Sequence, residues 1–150
     1  MMRATLLLFS LLASWHYGQA QCFNDTKSYP LYQVGAELVS TLDSAGKEIV
    51  RIEYDLIFTS KETFRQLASN WEYTLVAFSD DGVKDLDIKL YEYDARLDRY
   101  VLKKKDNSND KVAVLTWQPQ ETAKYKIEII VYQFQAGYTS ARYGLIVFHD

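Results

Sequence analysis

Through most of this chain, apolar and polar residues alternate with a period of two. Leu86, Ile88 and Leu90 are separated by Asp85, Asp87 and Lys89; a helix would spread those three apolar side chains around its circumference, whereas a strand gathers them on one face. Val50, Ile52, Tyr54, Leu56 and Phe58 alternate with Arg51, Glu53, Asp55, Ile57 and Thr59, which predicts a strand with one buried face. Residues 112–117, 125–134 and 143–148 are rich in β-branched and aromatic side chains, which suit a pleated surface. Residues 73–78 are apolar on both faces and predict a central strand.

Turn-forming clusters separate these runs: Asp43 to Gly46, Asp80-Asp81-Gly82, Asp94 to Asp98, Asp106 to Asp110, and Gln118-Pro119-Gln120. They recur about every ten residues, the spacing of an all-β sandwich rather than of strands alternating with helices. The pattern predicts about eight strands, near residues 37–42, 49–58, 72–79, 85–93, 99–103, 112–117, 124–134 and 142–149, with no amphipathic helix of ten residues or more. The fold class expected is all-β: an antiparallel β-sandwich of jelly-roll type. One segment reads two ways. Thr59 to Glu62 resembles a helix capping box with Phe64, Leu67 and Ala68 at helical spacing, but residues 61–69 also fit a ninth strand turning at Ser69-Asn70.

The N-terminus reads as an address. Arg3 precedes an apolar stretch from Ala4 to Ala13, and Gly18-Gln19-Ala20 offers small residues for cleavage after Ala20. That stretch is about ten residues, short of the roughly twenty that cross a bilayer, and no later segment comes closer. The expected organisation is a signal peptide over 1–20, a polar leader over 21–35 and a single β-sandwich domain over 36–150. The mature chain is expected to be secreted or periplasmic, with no transmembrane segment. Cys22 is the sole cysteine, so no disulfide forms within the chain. A lipid anchor there is not expected, because Gln21 and Gln19 stand where a lipobox places a small residue and leucine.

Composition adds exclusions. The 150 residues are 48% hydrophobic and 25% charged, enough apolar content for one folded domain and too much for disorder. With 17 basic and 20 acidic side chains the net charge is −3; losing Arg3 leaves 16 against 20, or −4, so no nucleic-acid partner is expected. Of two histidines, only His149 survives cleavage, one residue from the C-terminus where chains fray. One cysteine and one histidine supply neither a nucleophile–imidazole arrangement nor a zinc site, and no phosphate-cradling glycine motif occurs.

Tyr73 to Phe78, running through Asp80-Asp81-Gly82 into Asp85-Leu86-Asp87 and on to Leu90-Tyr91, resembles the bacterial pre-peptidase C-terminal domain. The later Val112 to Trp117, Pro119 and Ala123 to Ile127 are similar to that family's closing pattern. The resemblance spans about residues 49–148. It implies a secreted jelly-roll-like sandwich that is not itself catalytic and that accompanies exported enzymes or binds extracellular polymers.

Two constellations carry candidate chemistry. Asp80, Asp81, Asp85 and Asp87 form the densest acidic group; hard oxygen donors of this kind suit Ca²⁺, and Asp85 and Asp87 share a strand face. The competing reading is turn-making by aspartate. Lys84 offers an ion pair instead of a metal, and 106–110 is a second oxygen-rich loop that would lie nearby. Tyr91, Tyr93 and Tyr100 could form a flat platform for sugar rings or a protein surface, or simply brace a hairpin across strands. Trp71, Trp117 and the tyrosines at 54, 73, 125 and 143 are expected at core or sheet-edge positions, and Lys103 to Lys105 at a solvated hairpin tip. The function expected is a non-catalytic binding or structural module with an extracellular polysaccharide or protein partner and no cofactor. The alternatives are a Ca²⁺-dependent carbohydrate- or surface-binding module and a small glycoside hydrolase using two carboxylates.

Overall fold

The computed structural model describes residues 28–150; the stretch expected to be a signal peptide, Cys22 and the first part of the expected leader lie outside the described residues. One helix, α1 (Tyr29–Ser44), precedes eight strands: β1 (Glu48–Ile57), β2 (Ser60–Leu67), β3 (Tyr73–Ser79), β4 (Val83–Asp94), β5 (Arg99–Lys105), β6 (Val112–Trp117), β7 (Ala123–Phe134) and β8 (Ala141–His149). They form two four-stranded sheets in the orders β1-β8-β3-β6 and β2-β7-β4-β5, with every pairing antiparallel. Successive strands alternate between the sheets except at the β4–β5 hairpin, which is the winding of a jelly roll. The expected fold class stands, and β3 is central as its apolar run required. Residues 61–67 lie in β2, and the chain turns at Ser69-Asn70.

The sandwich core lies between the sheets. Leu86, Ile88 and Leu90 of β4 meet Leu75 and Ala77 of β3 and Leu145 and Val147 of β8, all fully buried. Each fully buried side chain of this size contributes roughly 1.5–3 kcal/mol relative to exposure. Two tyrosines enter this core and carry their hydroxyls to carboxylates: Tyr125 donates to Glu92 at 2.7 Å and Tyr143 to Glu53 at 2.6 Å. A buried hydroxyl needs such an acceptor.

The helix corrects the sequence reading. Residues 37–42, expected as a strand, and 29–35, expected as leader, belong to α1, whose Pro30 sits in its first turn where no intrahelical N–H is needed. Leu31, Leu38, Val39 and Leu42 recur at helical spacing and cover Phe78, Ile146 and Phe148 on the outer face of the first sheet. That sheet is therefore apolar on both faces beneath the helix. From Ile52 onward the apolar set assigned to β1 faces the helix side: Tyr54 pairs with Gly144, whereas Glu53 and Asp55 pair with Leu145 and Tyr143 on the core side, where Ile57 is buried; Val50, at a shift in the register, packs against the sandwich core. Glycine permits this packing. A Cβ on Gly35 would stand 1.7 Å from the Tyr54 hydroxyl oxygen, and one on Gly144 would lie 2.4 Å from the Phe78 ring.

His149 is likewise not frayed. It is 5% exposed, stacked on Trp71 at 4.3 Å between ring centroids and met edge-on by Tyr73 at 5.4 Å.

Candidate functional site: the outer face of the second sheet

Register places side chains in rows across the solvent face of β2-β7-β4-β5. One row is Phe64, Lys126, Tyr91 and Leu102; the row on one side is Gln66, Lys124, Tyr93 and Tyr100, where Glu92 pairing with Tyr125 sets Tyr93 beside Lys124; on the other side stand Glu62, Glu128, Lys89 and Lys105. The three tyrosines singled out from sequence thus do share one face. Tyr93 and Tyr100 pack at 5.4 Å between centroids, and Tyr100 meets Phe64 at 5.6 Å. Phe64 and Tyr100 belong to the two edge strands, which are about 14 Å apart at the usual interstrand spacing, so their rings lean inward over the central strands. Lys126 is placed beneath them, its ammonium 4.5 Å from the centre of the Tyr91 ring, a cation–π contact.

Polar groups frame the rings. Tyr91 donates to Glu128 at 2.7 Å, Tyr93 to Asp98 at 2.6 Å, and Lys126 pairs with Glu62 at 2.7 Å. Burial, followed by the hydrogen bond to Glu128 and its charge, pushes the Tyr91 hydroxyl up to about 12, so it remains a neutral donor at physiological pH. Phe64 at 54% exposure and Leu102 at 46% leave apolar surface open beside these donors and acceptors. Phe64 was not among the residues singled out from sequence, because its position was legible only once 61–69 was known to be a strand whose outward residues include 62, 64 and 66.

The four aspartates occupy two different places. Asp80 is a turn-maker: its carboxylate accepts from the backbone N–H groups of Gly82 and Arg142, each at 2.9 Å, and thereby fastens the β3–β4 turn to β8. Asp81 is exposed and pairs with Lys111 at 2.8 Å. Asp85 and Asp87 instead lie in a recess with Tyr132 of β7, Lys105 and residues 107–109. Among the described residues no group of three or more His, Cys, Asp or Glu side chains is placed to hold a metal ion. Lys103 to Lys105 complete β5 rather than forming a hairpin tip; lysines on an edge strand discourage pairing with another chain.

No family model and no curated protein matches the chain. Solved structures do. The pre-peptidase C-terminal domain of a collagenase from Bacillus anthracis aligns with a TM-score of 0.50 at 12% identity, covering 65% of this chain and 87% of that one. A mitogen from Yersinia pseudotuberculosis aligns with a TM-score of 0.47 at 13% identity over 67% of this chain and 85% of its own. A periplasmic inhibitor of g-type lysozyme from Aeromonas hydrophila gives 0.45 at 9% identity over 71% and 90%. At these identities the likeness to the collagenase domain is one of fold, and it agrees with the resemblance carried by residues 73–91. No helix of the described residues is long and apolar enough to cross a membrane.

Proposed function

We propose that this protein is an exported, non-catalytic binding module that holds an uncharged stretch of extracellular polysaccharide on the outer face of β2-β7-β4-β5. The observation that carries this reading is the aromatic row itself: Phe64, Tyr91, Tyr93 and Tyr100 on one solvent-facing surface, bordered by hydrogen-bonding side chains. Rigid rings bury area against a sugar with little loss of conformational freedom, and neighbouring polar groups receive its hydroxyls. Among the rings the Lys126 ammonium is already paired with Glu62, which favours a neutral ligand there over a polyanion. A non-catalytic role is supported by His149 being enclosed by Trp71 and Tyr73, which among the described residues leaves no imidazole near the aromatic face.

The test is a glycan array probed with the mature protein and with Phe64→Ala and Tyr100→Ala. Binding to neutral glycans that falls at least tenfold in both variants is the expected result. Binding that survives both substitutions unchanged rejects this surface, and a preference for proteins over every glycan rejects the ligand class.

A further inference from the structure

The loop between β5 and β6 is pinned to β4 at both ends. The Asp106 N–H donates to the Ile88 carbonyl at 2.9 Å, and the Leu86 N–H donates to the Asp110 carbonyl at 2.8 Å. Between these two bonds residues 107–109 arch beside Asp87, and the recess they close, about 230 Å³, is lined by Asp85, Asp87, Lys105, Tyr132 and that arch. Asp85 stands at an irregularity in the pairing of β4 with β7, which takes its side chain off the regular alternation. It is 7% exposed, and its Oδ1 is buried with no hydrogen-bond partner. A carboxylate oxygen so placed carries the full cost of lost hydration with nothing returned.

We infer that this recess is a Ca²⁺ site, in which the carboxylates of Asp85 and Asp87 and the side-chain oxygens of Asn107, Ser108 and Asn109 hold the ion. The donor set is all oxygen, two charged and the rest neutral, which suits a hard cation that accepts six to eight ligands, water among them. It offers neither the nitrogen and sulfur that zinc favours nor the tight octahedron that Mg²⁺ demands. Burial, then the charges of Asp85 and Asp106, raise the Asp87 carboxyl above its ordinary range against the smaller opposing charges of Lys89 and Lys105. Lys105 is the competing occupant, since its ammonium could satisfy the same carboxylates. Asp80 and Asp81, fastened to the β3–β4 turn and to Lys111, are outside the site. The inference stands on this geometry alone and is independent of what the aromatic face binds.

Thermal unfolding of the mature protein is to be followed with EDTA and with CaCl₂ at about 10 mM, well above the dissociation constants of about 0.1–1 mM usual for extracellular calcium modules. The expected result is a rise in Tm of roughly 3–8 °C with Ca²⁺, smaller with Mg²⁺, abolished in Asp85→Asn and retained in Asp81→Asn. Asp85→Asn should itself melt higher than the unsubstituted protein in EDTA, because it removes an unpaired buried charge, so loss of the calcium response is distinguishable from loss of the fold. Lys105→Met should bind Ca²⁺ more tightly. Terbium emission sensitised through Tyr132 and displaced by Ca²⁺ gives a second readout that does not depend on melting. No calcium-dependent shift and no displaceable terbium signal overturns the inference. A calcium response that persists in Asp85→Asn or disappears in Asp81→Asn overturns the assignment of ligands.

Discussion

At the scale of single residues, two glycines and one carboxylate set the tolerances of the structure. Gly144 lies between Tyr54 of β1 and Phe78 of β3 in the register of the first sheet, and the buried Phe78 ring fills the space where its side chain would be. Gly144→Ala is expected to destabilise the protein by about 1–3 kcal/mol, the usual cost of overpacking a core, read as a lower urea midpoint at unchanged slope. Gly35→Ala should cost less in a Tyr54→Phe background, since the nearest clash is with the hydroxyl oxygen; a double-mutant cycle measures the difference. Glu53 behaves oppositely to Asp87. Burial alone would raise its pKa, but hydrogen bonds from Tyr143 and Arg51, with the charge of Arg51, outweigh that and hold it below the ordinary value. A depressed folded pKa contributes stability that is fully present above the unfolded value, about 4.3, and is lost as pH falls through the folded one. Tyr143→Phe should therefore cost about 1.5–3 kcal/mol at pH 7, and the difference from the unsubstituted protein should shrink in urea titrations below about pH 4.

At the scale of elements, what could be read in advance depended on whether a segment buries one face or two. Leu86, Ile88 and Leu90 point to the core and Asp87, Lys89 and Tyr91 outward, so the alternation of β4 was legible directly. Residues 37–42 were misread because Val39 and Thr41 suggest a strand, while the helical stripe becomes visible only when Leu31 and Gly35 are counted with Leu38, Val39 and Leu42. The same helix explains why Ile52 and Tyr54 of β1 point away from the sandwich: β1 lies in a sheet covered on its outer side, where period two no longer says which face is the core. Leu42→Ala is expected to lower stability by about 2–4 kcal/mol and to increase dye binding to the uncovered Phe78 and Ile146 surface, a result that an ornamental helix would not give. The tyrosines at 91, 93 and 100 were legible as a face because they sit on a hairpin. Phe64 was not, since its neighbours on that face come from a strand distant in sequence.

At the scale of the molecule, the two sheets have divided their work. The first is covered by the second sheet on its inner face and by α1 over part of its outer face, around Phe78 and Ile146. The second presents its outer face to solvent, and there aromatic rings stand in rows with charged side chains, more apolar surface than a bare face would carry. The four aspartates could be found in sequence but not sorted, because which of them makes a turn and which is left unpartnered depends on the β8 backbone and the 106–110 loop, both far along the chain. The most direct test of the account is the affinity for a neutral glycan selected from the array, measured by titration calorimetry for the unsubstituted protein, the Phe64→Ala/Tyr100→Ala double variant and a Leu42→Ala control. The account expects the double variant to lose at least tenfold in affinity at a melting temperature still well above that of the measurement, while the control loses stability and keeps its affinity. Equal affinities for the double variant and the unsubstituted protein would contradict it.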